Sequence, residues 1–131
     1  MVLSEGKLEA TIRILEIYNG FVESLRKKGG GLVNGCERRA EEIRRQFIEL
    51  RLNPVILVAR SVLYPWIHHE SGSSFYHHHA ILVDGLVFDP NYTGRRPLPL
   101  SIYTQTAYPN QDDIALFQKQ NNGYSHFLMP Y

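Results

Sequence analysis

Apolar residues recur at three- and four-residue spacing in the first part of the chain, which is the pattern of amphipathic helices. It predicts a first helix from Glu5 to Lys28, kinked or split at Asn19-Gly20 and closed by a left-handed cap at Gly29. A second helix is predicted from about Cys36 to Leu52, with Asn34 as its cap. The buried stripe of this helix contains Cys36, Ala40, Ile43, Phe47 and Leu50. The charged residues on its other faces are interpreted as a solvated surface: Arg38, Arg39, Glu41, Glu42, Arg44 and Arg45.

The middle of the chain changes to the pattern of β-strands. Val55 to Val62 is rich in β-branched residues and predicts a largely buried strand, followed by a loop from Tyr64 to Ser74. Two short apolar runs, Ala80 to Val83 and Leu86 to Phe88, flank Asp84-Gly85. An Asp-Gly pair between apolar runs is a strong signal for a two-residue β-hairpin turn.

The last third of the chain gives weaker patterns. The residues after Asp89-Pro90 predict irregular structure, because glycine and two prolines interrupt any periodicity. Leu100 to Ala107 is predicted to be a strand, Gln111 to Gln120 a short helix and Gly123 to Tyr131 an edge strand. Helices and an antiparallel hairpin in one chain predict an α+β fold.

Composition limits the classes of function. With 131 residues, 44% of them hydrophobic, the chain is predicted to form one domain, 1–131, with an N-terminal helix and Gly-rich turn (1–33), a core (34–94) and a C-terminal extension (95–131). The net charge of +1 gives no clustered positive surface for nucleic acid, and no apolar stretch approaches the ~20 residues of a membrane span. A single cysteine and the lack of a signal-peptide pattern predict a cytoplasmic location, or delivery into a target cell within a larger exported protein.

Cys36 is a candidate nucleophile. It begins a predicted helix, and the backbone N–H groups at a helix N-terminus stabilise a thiolate and can bind an oxyanion. The competing interpretation is a small buried hydrophobic residue at the head of an apolar stripe.

The histidines around the hairpin are candidates for the base. Along a strand, His77 and His79 share one face while His78 faces the other way. A two-residue turn places Asp89 on the same face as His78, whereas a bulge near the turn places it with His79. The single cysteine and the absence of paired ligands at zinc-finger spacing argue against a structural zinc site. A catalytic metal bound by these histidines is the less favoured alternative, and neither a metal nor another cofactor is expected.

Three motifs in this order resemble the papain-like and transglutaminase-like superfamily of cysteine hydrolases. Gly35 to Ala40 (GCERRA) resembles the nucleophile helix, His79 to Gly85 (HAILVDG) the His-Ala strand, and Val87 to Pro90 (VFDP) the Asp-Pro strand. The similarity spans about residues 34–94 and is greatest to the papain-fold toxin domains of bacteria. It implies a papain-like core, in which the nucleophile helix packs on a small antiparallel sheet.

The resemblance implies a Cys36–His79–Asp89 triad that forms a thioester on the cysteine, with His78 as the alternative base. The family usually completes its oxyanion hole with a glutamine before the cysteine, and three glycines occupy that region here. Asn34 or a backbone N–H group is the candidate replacement, and Trp66 is a candidate wall of the substrate cleft.

The function so implied is hydrolysis of an amide in a protein or peptide substrate, by peptidase or glutamine deamidase chemistry, with transamidation also open. The expected setting is a bacterial toxin or effector with a cognate immunity protein as a possible partner, and with neither nucleic acid nor membrane as a partner. The alternative is a non-catalytic papain-fold binding or immunity-type protein. A cell-wall amidase is less favoured, since those enzymes usually orient their base with a second histidine.

Overall fold

The computed structural model describes residues 3–29, 34–120 and 123–127. These residues form an α+β fold, as predicted, and none of their helices is long and apolar enough to cross a membrane. The elements in chain order are α1 (Glu5–Lys28), α2 (Cys36–Glu49), β1 (Val55–Ser61), β2 (Ile67–His68), β3 (Ser74–Phe75), β4 (His78–Val83), β5 (Leu86–Phe88), β6 (Leu98–Pro99), α3 (Leu100–Ala107), β7 (Ile114–Gln120) and β8 (Gly123–Phe127). Six strands form an antiparallel sheet in the order β6-β5-β4-β1-β7-β8, and β2 pairs separately with β3.

Both faces of the sheet are covered, which explains why β1 and β4 consist largely of consecutive buried residues. Ile56 and Val58 of β1 pack toward α1 and α2, while the intervening Leu57 packs on the opposite face with residues of α3. On the helical face the ring of Phe47 meets that of Phe88 edge to face, with centroids 5.0 Å apart. This packing fixes α2 across the strands that carry the histidines and Asp89.

α1 runs without a break through Asn19-Gly20, contrary to the predicted kink. Asn19 lies on its buried face, where the side-chain amide donates a hydrogen bond to the carbonyl of Pro90 at 2.8 Å. The helix therefore holds the chain just after Asp89. Gly29 caps the helix with φ −95°, so its predicted left-handed conformation is wrong.

α2 begins at Cys36 as predicted, but its N-cap is Gly35 and not Asn34. Gly35 has φ 86°, a left-handed conformation that glycine adopts without strain, and it has no side chain with which to cap the helix. The helix ends at Glu49, three residues before the predicted Leu52. Arg39 is buried, so the solvated surface predicted for this helix is wrong at that position.

Three predictions downstream of β1 are wrong, because strand pairing and packing against the sheet override weak local patterns. The predicted loop contains β2, and the predicted strand from Leu100 is α3, which buries Tyr103 and Ala107 one turn apart. The predicted helix from Gln111 contains β7, whose register with β1 includes Val58 opposite Phe117. The predicted edge strand is confirmed for Gly123–Phe127 (β8), and the remainder of that prediction lies outside the described residues.

Candidate active site

The hairpin turn determines which histidine meets Asp89. Asp84 and Gly85 form a two-residue turn with φ values of 49° and 78°, and Val83 pairs with Leu86 across it. The pairing continues in the same register without a bulge, which brings Asp89 to the face of His78. The expected pairing of Asp89 with His79 is therefore wrong, because the bulge that it required is absent from this hairpin.

Asp89 is a buried carboxylate that accepts four hydrogen bonds. Its Oδ1 accepts from His78 Nε2 at 2.7 Å and from the backbone N–H of Asn91 at 2.9 Å. Its Oδ2 accepts from His69 Nε2 at 2.8 Å and from the Tyr103 hydroxyl at 2.9 Å. The relative exposure of Asp89 is 0%, so these donors replace the water that an ionised carboxylate needs. The pKa of Asp89 lies well below its ordinary value, because the attraction and hydrogen bonds of the two histidines outweigh the effect of burial.

His78 lies between Asp89 and the thiol of Cys36. Its Nε2 is bonded to the carboxylate, so Nδ1 is the nitrogen left to exchange a proton with Cys36, and the imidazole and the thiol shift each other's pKa. This buried Nδ1 forms no hydrogen bond with the described residues. Phe75 stacks on the imidazole with ring centroids 4.5 Å apart, which fixes the plane of the ring.

The two reacting groups shift each other's pKa. Burial raises the pKa of the Cys36 thiol, but the hydrogen bond and charge of His78 and the charge of Arg39 bring it below its ordinary value of 9.0. Burial lowers the pKa of His78, but Asp89 and Cys36 outweigh that effect and raise it to about 9. Each shift favours the charged form of its group, so the environment favours transfer of the thiol proton to His78.

His79 and His77 lie on the opposite face of the strand from His78, as the alternation predicts. His79 Nε2 and His77 Nδ1 are 3.1 Å apart, and both side chains face Glu37 at the start of α2. Burial, together with the positive charges of His77 and Lys119, lowers the pKa of His79 to about 3. His79 is therefore a neutral imidazole without a carboxylate in hydrogen-bonding contact.

A cleft of about 1060 Å³ opens at Cys36. Asn34 lines it, as expected of an oxyanion or substrate residue, and so does Arg39. The described lining does not include Trp66, which instead stacks on Tyr76 with ring centroids 4.1 Å apart. Asn34 and Cys36 thus line one cleft, whereas Trp66 is not among its described lining residues.

Several residues of the site had no clear signal in the sequence. His69 precedes the structure's β3 in a stretch predicted to be a loop, and Tyr103 belongs to a helix predicted to be a strand. The Ser71 backbone N–H donates to His69 Nδ1 at 3.1 Å, which leaves Nε2 as the nitrogen that donates to Asp89. Local patterns carry no information on the contacts of His69 and Tyr103 with Asp89, because these join segments 20 and 14 residues apart in the chain.

The chain matches no protein-family model, no curated protein and no solved structure. These comparisons provide no link between this chain and the papain-like superfamily. A function for this protein therefore has to be inferred from the geometry of the site and from the three motifs.

Proposed function

We propose that this protein is a cysteine-dependent amide hydrolase with a papain-like core, in which Cys36 is the nucleophile, His78 the base and Asp89 the residue that orients it. The observation that carries the proposal is the hydrogen bond from His78 Nε2 to a fully buried carboxylate, with the imidazole close enough to Cys36 for each to shift the other's pKa. Nucleophile, base and orienting acid in hydrogen-bonding sequence are the arrangement used for acyl transfer. The predicted role of His79 passes to His78, which was the alternative.

The reaction follows from the charges of the pair. The Cys36 thiolate attacks the carbonyl carbon of an amide, a C–S bond forms, and the carbonyl electrons move onto the oxygen. When this tetrahedral intermediate collapses, the C–N bond breaks and the leaving amine or ammonia takes the proton from His78 Nδ1. Water then attacks the thioester while His78 accepts its proton, which releases a carboxylic acid and regenerates the thiolate. Asp89 keeps the imidazole in place and stabilises its positive charge throughout.

The start of α2 supplies donors for the oxyanion. Gly35 has no side chain to cap the helix, and the first N–H bonded within this turn is that of Arg39, to Gly35 O at 3.1 Å. The described residues form no hydrogen bond with the backbone N–H groups before it, and these groups are the proposed donors to an oxyanion beside Cys36. Asn34, which lines the same cleft, is the second donor in this proposal.

The substrate class follows from the cleft and from the three motifs. A volume of about 1060 Å³ suits a peptide segment or a glutamine side chain presented by a protein. The resemblance to papain-fold toxin domains extends the proposal to a bacterial effector, acting in the cytoplasm of the cell that receives it and paired with an immunity protein. Peptidase, deamidase and transamidase activities share the thioester and differ in its leaving group or acceptor.

Alkylation kinetics test the nucleophile and its base. Wild-type protein is treated with iodoacetamide at neutral pH in the presence of a chelator, and intact mass gives the rate of modification of Cys36. His78→Gln is expected to lower this rate by about tenfold or more, because an unassisted thiol is only a few per cent ionised at pH 7. His77→Gln, the matched control at the neighbouring half-buried histidine, is expected to leave the rate within about twofold. Equal rates for wild type and His78→Gln would exclude His78 as the base.

Mass spectrometry tests turnover. Incubation with a mixed peptide pool is expected to give cleaved peptides or glutamine-to-glutamate conversions with wild-type protein and none with Cys36→Ser. If the Cys36→Ser variant retains the full biological effect, the alternative of a non-catalytic papain-fold binding or immunity-type protein replaces the enzymatic proposal.

A further inference from the structure

The strand that carries His78 presents two more imidazoles on its other face. His77 and His79 are two residues apart, so the alternation of the strand places both side chains together. Their ring centroids are 5.0 Å apart, and His79 Nε2 lies 3.1 Å from His77 Nδ1. The proposed hydrolase leaves this pair without a role, because His78 takes the carboxylate.

Glu37 is the third residue of this cluster. It stands in the first turn of α2, and its Oε1 lies 3.7 Å from His77 Nε2 and 3.9 Å from His79 Nε2. One donor atom from each of the three residues lies within 4.8 Å of the others. Donors around a tetrahedral zinc ion are separated by about 3.3 Å, given bonds of about 2.0–2.1 Å. The exposed Glu37 side chain has the freedom to close the difference.

We propose that Glu37, His77 and His79 bind a divalent transition-metal ion of the Zn²⁺ type. Two imidazole nitrogens and one carboxylate oxygen suit Zn²⁺, whereas Mg²⁺ and Ca²⁺ prefer sites made of oxygen alone. Imidazole binds metal through a ring nitrogen, and the buried His79 ring holds its Nε2 on the side of Glu37 Oε1. The positive charges of Arg60 and Lys119 act on His77 and oppose a bound cation, which weakens the affinity.

The metal site adjoins the nucleophile. Glu37 follows Cys36 in the chain, and the Cys36 thiol donates to the carbonyl of His77 at a separation of 4.0 Å. Three protein ligands leave a coordination position open for water or another donor. Zinc bound here is expected to slow alkylation of Cys36, which gives the site a means of holding the thiol inactive.

Isothermal titration of tag-free protein with zinc chloride tests the binding directly. We expect one ion per chain, with Glu37→Gln and His77→Gln each weakening the affinity by about tenfold or more. These two variants carry the test because Glu37 is exposed and His77 half-buried, whereas replacing the buried His79 perturbs folding as well. His68→Gln, an exposed histidine outside the cluster, is the matched control and is expected to bind like wild type.

Cys36→Ser separates this site from the thiol. We expect it to bind zinc as the wild type does, since the three ligands remain. No saturable binding at submillimolar zinc, or unchanged affinity in Glu37→Gln and His77→Gln, would overturn the metal site. Loss of binding in Cys36→Ser with full binding in those two variants would assign the ion to the thiol instead. These measurements require no turnover, so they decide the metal site whether or not the protein proves to be a hydrolase.

Discussion

The buried carboxylate of Asp89 gives a prediction for which the structure supplies the magnitude. Asp89→Asn keeps the shape of the side chain, but it removes the charge and turns one acceptor oxygen into a donor. In wild type, two donors bond to Oδ1 and two bond to Oδ2. The NH₂ group of the asparagine replaces one of these oxygens, so in either orientation a donor faces donors. Removing one partner of a buried charged pair costs about 3–5 kcal/mol.

That loss converts into a change in melting temperature. Unfolding entropy of about 2.1 cal/mol/K per residue gives roughly 0.28 kcal/mol/K for a chain of 131 residues. Asp89→Asn is therefore expected to melt about 11–18 °C below wild type at pH 6. Thermal unfolding followed by circular dichroism measures it, with the exposed Asp112→Asn as the matched control, expected within about 2 °C of wild type.

The pH dependence of this loss distinguishes a charged pair from simple packing. The pKa of His78 is raised to about 9 in the folded protein, so its stabilisation is fully present below its ordinary value of 6.5 and is lost as the pH rises through 9. In Asp89→Asn the main cause of that rise is gone. The difference in free energy of unfolding between wild type and Asp89→Asn is therefore expected to become smaller from pH 6 to pH 9.

The comparison is best made in a Cys36→Ser background with a chelator, which removes the titration of the thiol and any bound metal. A loss below about 1 kcal/mol at pH 6, or a gap that stays constant up to pH 9, would refute the assignment of Asp89 as the charged partner of His78.

Three further predictions concern the framework of the site, and each is measured by urea unfolding followed by circular dichroism. Gly20→Ala is expected to raise the free energy of unfolding by about 0.5–1 kcal/mol, because the glycine lies within α1 and an added Cβ meets no atom within 4 Å; destabilisation would contradict it. Gly94→Ala is expected to lower it by about 1–3 kcal/mol, since the new Cβ would lie 2.5 Å from the Tyr92 ring; equal stability with wild type would contradict that contact. Asn19→Leu is expected to lower the free energy of unfolding by about 1–3 kcal/mol, because the buried Pro90 carbonyl loses its donor. The same variant is expected to slow alkylation of Cys36. An unchanged free energy together with an unchanged alkylation rate would exclude a positioning role for Asn19.

The part of this site that lies on the hairpin could be predicted from the sequence. Asp84-Gly85 between two apolar runs specified the two-residue turn, because both positions need positive φ and these residue types tolerate it. The strict alternation of a strand then implies that Asp89 faces His78. The family pattern favoured a bulge instead, and the hairpin in the structure follows the local rule.

Only the tertiary structure decided which other groups reach the carboxylate and the thiol. His69, Tyr103 and Asn19 come from segments between 14 and 70 residues away from Asp89 and are recruited by packing around it. The segments Leu100–Ala107 and Ile114–Gln120 also took their final form from their neighbours, since α3 packs its buried residues against the sheet and β7 pairs with β1.

The amino-acid sequence by itself determined that a cysteine begins a helix, that a hairpin presents histidines on both faces, and that an aspartate ends the returning strand. These features follow from turn chemistry and periodicity, which act within a few residues. The structure decided that Asp89 is fully buried and accepts hydrogen bonds from four donors, and that the imidazoles of His77 and His79 lie beside Glu37. Burial and convergence depend on contacts between distant segments, and a local pattern carries no record of them.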